Sequence, residues 1–351
     1  MEIQEIVHIF ERSPQAKALL KLLDRKTQKT VFLSGLVCSS APLFFAAVKE
    51  RLARPVLFVL NDADEAGYFY HDLVQILGQD QAFFFPSTYR RAVKYGQKDA
   101  ANEILRTEVL ARLASSQPLY VVTYPDALAE MVVSKKNLDE RIIKLAVGDQ
   151  VSLMDISHQL RDFDFMETDY VYEPGQFAIR GSILDIYSYS CEFPFRIDFF
   201  GDEIDIRTFS IEDQLSRDRR ESVEIVPELS LAEGEKLPFL HFLDKRAVVA
   251  MKDFTFVYDR IDQIYKEGFS SQSMVEQMEG ATEVEAERIR RAMKKELNLS
   301  SALQFQQGVA ERQRIEFGIA EQGVAERKTE EAADAVPFHI VPQPLFHKNF
   351  D

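Results

Sequence analysis

The fold of the middle of this chain is decided by Tyr172-Glu-Pro-Gly-Gln-Phe-Ala-Ile-Arg-Gly-Ser-Ile-Leu-Asp-Ile-Tyr187 and by Phe195-Arg-Ile-Asp-Phe-Phe-Gly-Asp-Glu-Ile-Asp205. In the second stretch every other residue from Phe195 to Phe199 is apolar, so a strand would bury these residues and expose the residues between them. Pro174-Gly175 and Gly201-Asp202 are typical of tight turns. The two stretches therefore predict a small antiparallel sheet.

The exposed face of this predicted sheet carries an aromatic ring among charges. Arg196, Asp198 and Phe200 share that face because they alternate with the apolar set. Large rings flanked by arginine often anchor protein interfaces, where one anchor contributes about 2 kcal/mol or more. The pattern favours an interaction surface.

Residues 29–134 alternate short apolar runs with helical patterns. Such alternation is typical of a parallel sheet covered by helices, and predicts an α/β domain with the architecture of nucleotide-binding folds. A helix is predicted over 99–115, where Ile104, Leu105, Val109, Leu110 and Leu113 share a face. The predicted strands are 30–33, 55–60, 82–85 and 119–123.

The phosphate loop expected after the first strand is degenerate. The chain reads Ser34-Gly35-Leu-Val-Cys38-Ser-Ser40-Ala41-Pro42 there, and the whole sequence contains no Gly-Lys pair. A phosphate loop needs glycines, whose backbone N–H groups close on the phosphates, and a lysine that reaches the β- and γ-oxygens. With Gly35 as the first glycine of that spacing, Ser40, Ala41 and Pro42 occupy the positions of Gly, Lys and Ser or Thr. We therefore expect no bound nucleotide and no cofactor.

Composition and charge exclude several classes of protein. The 351 residues carry a formal net charge of −15, which disfavours a large nucleic-acid footprint. No apolar run approaches the length of a membrane span of about 18 residues. No secretory signal opens the chain, so we expect a cytoplasmic protein that does not contact a membrane. Cys38 and Cys191 lie far apart and the histidines lack metal-ligand spacing, so no metal site is expected.

The last third of the sequence predicts a second α/β part. Strands are predicted at 247–251 and 254–258, and a charged helix at 282–297. The chain stops in apolar sequence, from which we expect it to be the front of a longer protein.

The two quoted stretches resemble motifs of the UvrB-like modules of bacterial repair proteins. These modules occur in the excinuclease subunit UvrB and in the transcription-repair coupling factor Mfd. The resemblance extends from the loop at Ser34 through Asp99-Ala-Ala-Asn-Glu-Ile-Leu-Arg106 to the sheet, and weakens after about Glu235. This chain resembles the coupling-factor module more than UvrB, because UvrB keeps the phosphate-loop lysine and a long aromatic hairpin. Here Ala41 replaces the lysine and no Tyr-rich insertion follows Tyr95.

This resemblance implies an organisation and a function. It implies a helicase-like domain 1A at 1–135, with the degenerate loop, and a small antiparallel β-rich α+β domain 2 at 136–227. Domain 1B would follow at 228–340, and a linker to a further domain would begin at 341–351. The module would hydrolyse no ATP. It would recruit the damage-recognition subunit UvrA through domain 2 and pack against the C-terminal domain of the full-length protein in an autoinhibited state. RNA polymerase and DNA would be bound only by regions absent here.

The same resemblance places the UvrA-facing positions on Arg180, Arg196 and Phe200. Three neighbouring acids, Asp198, Asp202 and Glu203, are supporting candidates. Two alternatives remain open: Arg180 could brace the sheet by pairing with Asp198 or Asp185, and Phe200 could pack under a helix of the third region. Asp185 is expected to be structural.

Two other function classes compete with an interaction module. The first is a nucleotide-dependent helicase-type enzyme or a UvrB-type excinuclease subunit, with which the predicted α/β architecture is compatible. A DNA-binding repair subunit is disfavoured by the acidic balance.

Overall fold

The computed structural model describes residues 2–25, 29–36, 39–88, 100–114, 118–191, 193–201, 203–229, 234–269, 298–319 and 334–340. Several sequence predictions lie outside these residues. They are the loop residue Cys38, the supporting candidate Asp202, the charged helix at 282–297 and the linker at 341–351.

The described chain alternates helices and strands in both of its halves. The helices are α1 (Ile3–Arg12), α2 (Pro14–Leu23), α3 (Ser40–Leu52), α4 (Ala63–Leu77), α5 (Ala100–Ala114), α6 (Pro125–Leu128), α7 (Lys135–Asp139), α8 (Leu153–Asp162), α9 (Phe239–Phe242), α10 (Phe254–Glu267) and α11 (Ala302–Ala310), with a 3-10 turn at Gln79–Gln81. The strands are β1 (Thr30–Ser34), β2 (Val56–Val59), β3 (Ala82–Phe84), β4 (Tyr120–Thr123), β5 (Val132–Val133), β6 (Ile143–Ala146), β7 (Met166–Glu167), β8 (Gln176–Arg180), β9 (Ile183–Ile186), β10 (Phe195–Phe200), β11 (Glu203–Phe209), β12 (Ser216–Arg220), β13 (Ser222–Ile225), β14 (Lys236–Leu237), β15 (Val248–Met251), β16 (Gln313–Ile319) and β17 (Asp334–Pro337).

The larger sheet has seven parallel strands in the order β17-β1-β16-β15-β2-β4-β3. The prediction of an α/β fold with a parallel sheet is confirmed, and the four strands predicted within 29–134 all belong to it. Three strands from the last third of the chain, β15, β16 and β17, complete the same sheet. The predicted domain boundaries remain predictions.

Aromatic side chains fill the space between this sheet and its helices. Phe44 and Phe45 of α3 are buried and meet edge to face, and Phe45 also contacts Phe58 of β2 and Phe317 of β16. Parallel strands covered on both faces are buried along their whole length, as β1 and β2 are. This core fixes the position of α3 relative to β1.

The second sheet has six strands in the order β12-β11-β10-β9-β8-β7. Its pairs are antiparallel except the short pair β7–β8. One face packs on a separate core made with α8, through Ile156 and Leu160, and with the two-stranded sheet β6–β13. The predicted antiparallel sheet is confirmed, and so is the short helix that the sequence predicts from Leu153 to Arg161.

Two strand predictions are wrong. Residues 254–258 begin helix α10, whose N-terminus is capped by the Asp253 side chain accepting from the Phe256 N–H. Val257, Ile261 and Ile264 are buried at helical spacing. Asp169-Tyr-Val-Tyr172, which the sequence also predicts as a strand, is irregular and forms no strand.

In the described part of the chain, no helix combines the length and the apolar character needed to cross a bilayer.

Candidate functional site

The candidate site is the face of the six-stranded sheet that points away from its core. Arg196 lies directly opposite Asp185 on one side and Arg207 on the other. Residues opposite each other in antiparallel strands share a face, so this register defines what we call the outer face. Its members on β8 to β11 include Arg180, Ile183, Asp185, Arg196, Asp198, Phe200, Glu203, Asp205 and Arg207.

Phe200 ends β10 at the tip of the β10–β11 hairpin and is 65% exposed. The alternation predicted from the sequence is confirmed, because Phe195, Ile197 and Phe199 are buried. The turn needs a left-handed residue, which Gly201 supplies at φ +69°. The alternative that Phe200 packs under a helix is not seen in the described part of the chain.

Arg196 is held in one orientation by several partners. Its Nε and Nη2 donate to Asp185 Oδ1 and Oδ2 at 2.7 and 2.8 Å, and its Nη1 donates to the Gln214 carbonyl at 3.0 Å. The guanidinium also lies over the Phe209 ring, 4.9 Å from its centre. Only 16% of the side chain is exposed. The hydrogen bonds to Asp185 raise the pKa of Arg196.

Arg180 is more open and belongs to the same network. Its Nη2 donates to Asp185 Oδ2, its Nη1 donates to the Asp169 carbonyl at 3.1 Å, and its guanidinium lies 5.0 Å from the Tyr170 ring centre. The side chain is 35% exposed. It borders a groove of about 580 Å³ that is also lined by Tyr170 and Ile179. The pairing with Asp185 braces the sheet and still leaves part of the cation accessible.

Acidic groups surround these arginines. Asp198 is half-buried and accepts from the Ser182 hydroxyl at 3.0 Å, while Glu203 is exposed opposite Phe200. Hydrogen bonds from Arg219 and Arg207 lower the pKa of Asp205. The outer face therefore offers paired charges and one protruding ring. It suits a partner that brings its own charged groups and an apolar pocket.

The degenerate phosphate loop lies at the other sheet, between β1 and α3. Ala41 and Pro42 are buried in the first turn of α3, whereas Ser40 is half-buried. Ser34 ends β1 as a buried residue. A side chain as short as alanine brings no charge to this turn, so Ala41 cannot replace a phosphate-binding lysine.

A later segment of the chain packs on the described start of this loop. The Phe338 N–H donates to the Ser34 carbonyl at 2.7 Å, and the Phe338 ring meets Phe44 edge to face at 4.8 Å. Gly35 has φ +73°, and a Cβ there would lie 2.1 Å from the Phe338 carbonyl oxygen. The backbone beside Gly35 is thus covered by protein.

Sequence reasoning missed several residues of the network around Asp185. Tyr170 and Gln214 reach the outer face from segments before and after these strands, and Phe209 reaches it from the end of β11. Asp185 itself accepts from two arginines, although the sequence suggested only a structural role. The signal that could have found it is the register of β9 on β10, which puts Asp185 opposite Arg196.

Comparison with known proteins agrees with this structure. Residues 143–230, which contain the six-stranded sheet, match the family model described as the UvrB interaction domain. The transcription-repair-coupling factor of Bacillus subtilis is 26% identical over 227 residues, covering 64% of this chain and 19% of that protein. The coupling factor of Haemophilus influenzae is 32% identical over 198 residues, covering 56% and 17%.

UvrABC system protein B is also similar. The Thermotoga neapolitana protein is 26% identical over 287 residues, covering 75% of this chain and 41% of that protein. The matched part is thus less than half the length of each of these relatives. Residues 143–230 thus match the UvrB interaction domain, and parts of the chain are similar to coupling factors and to UvrABC system protein B.

Proposed function

We propose that this chain is a docking module of bacterial nucleotide excision repair that binds UvrA through the outer face. The observation that carries the proposal is Phe200, a ring 65% exposed at the tip of a rigid hairpin among charged side chains. A rigid aromatic anchor loses little conformational entropy when a partner covers it. Arg180, Arg196, Asp198, Asp202 and Glu203 would supply charged contacts around it.

We further propose that the module catalyses no reaction itself. Two features support this: Ala41 occupies the position of the phosphate-loop lysine, and Phe338 covers the backbone at Gly35. Calorimetric titration with ATP should give no binding heat. A dissociation constant in the micromolar range would contradict this part of the proposal.

In a longer protein of the coupling-factor type, the module would bring UvrA to stalled RNA polymerase. Contacts with polymerase and DNA, and the ATP-driven motor, would belong to other regions of that cytoplasmic protein. The module would also contact the protein's C-terminal domain in an autoinhibited state. The chain is similar to both coupling factors and UvrABC system protein B, and the absence of the phosphate-loop lysine supports the coupling-factor assignment over a UvrB-type excinuclease subunit.

The test is the affinity for purified UvrA, measured by biolayer interferometry. Phe200→Ala should weaken binding at least about tenfold, the loss of one interface anchor. Met154→Ala is the matched control, because Met154 is equally exposed but lies on α8, which packs on the opposite face of the sheet.

Both variants should keep the melting temperature of the unmodified chain, since neither side chain is buried. Equal affinity of Phe200→Ala and the unmodified chain for UvrA would refute the docking role of the outer face. So would a loss of affinity that merely follows a loss of folded protein.

A further inference from the structure

Asp185 is the one carboxylate on which both candidate arginines of the outer face converge. It is fully buried in the middle of β9. Its Oδ1 accepts from Arg196 Nε, and its Oδ2 accepts from Arg196 Nη2 and from Arg180 Nη2. A buried carboxylate is stable only when it is paired and hydrogen-bonded, and these bonds satisfy it.

The two arginines are not equivalent around this carboxylate. Arg196 makes the two-bond fork with Asp185 and also donates to Gln214 and Ser216, which leaves it mostly covered. Arg180 makes one hydrogen bond to Asp185, and its side chain remains one-third exposed beside the groove at Tyr170. Two guanidinium cations thus share one carboxylate, and Arg180 is the more accessible of the two, beside a groove whose lining also includes Glu167 and Asp169.

We propose that Asp185 is a positioning residue, which holds Arg196 in a fixed orientation and aims Arg180 at a carboxylate of the partner. This inference rests on the proposed function, because the partner is the one that the outer face binds. Pre-organised arginine forks bind carboxylates in two parallel hydrogen bonds, and their affinity depends on orientation as well as charge. Orientation is what Asp185 supplies.

The experiment uses Asp185→Asn, which keeps the shape of the side chain and removes its charge. Side-chain NMR of the arginine Nε and Nη groups should show restricted rotation for Arg180 and Arg196 in the unmodified chain, and free rotation of Arg180 in the variant. Affinity for purified UvrA should fall at least about tenfold, as expected when a charge-assisted contact is lost.

Asp126→Asn is the matched control. Asp126 accepts a comparable fork from Arg260, with distances of 2.8 and 3.1 Å, on the parallel-sheet side of the molecule. This variant breaks an aspartate–arginine fork away from the outer face, so its affinity for UvrA should equal that of the unmodified chain. An equal loss in both variants would overturn the positioning role of Asp185.

Arg180→Lys gives a second test that leaves Asp185 and its fork to Arg196 in place. It keeps the positive charge but cannot form a planar fork, so it should bind UvrA as weakly as Arg180→Ala. Binding of Arg180→Lys at the unmodified level would overturn the inference, as would unchanged Arg180 rotation in a folded Asp185→Asn variant. If the unmodified chain does not bind UvrA, the proposed function fails separately, and the arginine signals still decide whether Asp185 orients Arg180.

Discussion

Replacing Gly35 by alanine tests whether the region of the former phosphate loop is closed by the chain's own Phe338. At φ +73° an alanine would be strained by about 1 kcal/mol. Its Cβ would lie 2.1 Å from the Phe338 carbonyl oxygen, which no packing tolerates, so the segment after β17 must move.

That movement breaks the hydrogen bond from the Phe338 N–H to Ser34, a loss of about 1 kcal/mol. It also loosens the ring contact with Phe44, worth about 1 kcal/mol. The free energy of unfolding should fall by about 3 kcal/mol in total. Urea unfolding followed by circular dichroism measures this value, and hydrogen exchange at Val336 should accelerate.

Alanine substitutions at two other glycines separate the effect of backbone strain from the effect of the clash with Phe338. Gly181 has φ +63°, but a Cβ added there would meet no atom within 4 Å, so Gly181→Ala reports backbone strain alone. Gly67 lies inside α4 with open space around it, so Gly67→Ala should stabilise by about 0.5–1 kcal/mol. A loss for Gly35→Ala no greater than that for Gly181→Ala would refute the close packing of Phe338 on the loop.

Three further variants test buried polar groups. Arg312→Met removes four hydrogen bonds to the backbone carbonyls of residues 240, 243, 244 and 308. The free energy of unfolding, measured by urea unfolding, should fall by about 3 kcal/mol. A fall of less than about 1 kcal/mol would contradict this prediction. Glu130→Gln weakens the hydrogen bonds that Ser87 and Thr88 donate to the Glu130 carboxylate at 2.6 to 2.9 Å, so hydrogen exchange of the Thr88 amide should be faster. Unchanged protection of this amide would refute the role of Glu130 in anchoring Ser87 and Thr88. Burial lowers the pKa of Lys49 in the folded chain. The charged lysine therefore destabilises the folded chain by its full amount at pH values below the folded-state pKa. This destabilisation disappears as the pH rises towards the pKa of lysine in the unfolded chain. The stability of Lys49→Met relative to the unmodified chain should therefore be higher at pH 7 than at pH 10, although the variant also loses the hydrogen bond from Lys49 Nζ to Gln81. A relative stability that grows with pH in urea titrations would contradict the sign.

The alternation of apolar and polar residues was enough to predict the sheet that forms the candidate site. Phe195, Ile197 and Phe199 of β10 were predicted to be buried and are buried, because a regular apolar–polar period defines both the strand and its buried face. β12 shows no such alternation, because Ser-Arg-Asp-Arg-Arg has no apolar residue and is exposed throughout. Residues 254–258 resemble a strand because they are aromatic and β-branched, yet the cap at Asp253 and the burial of Val257 and Ile261 make them helical.

The site's electrostatic network could not be predicted from the sequence. The sequence offers Asp185 and Asp198 as partners for Arg180, and only the register of β8, β9 and β10 decides between them. Tyr170 joins the network because its segment crosses the outer face, which no local pattern encodes. Contacts between distant segments depend on the fold as a whole.

The most direct test of the docking role is hydrogen exchange of the chain with and without purified UvrA. The docking role predicts that bound UvrA slows exchange in the β8–β9 and β10–β11 hairpins, centred on Phe199 and Phe200, and leaves β1 and α3 unchanged. Protection that appears in β1 and α3 while the two hairpins exchange as in the free chain would contradict it.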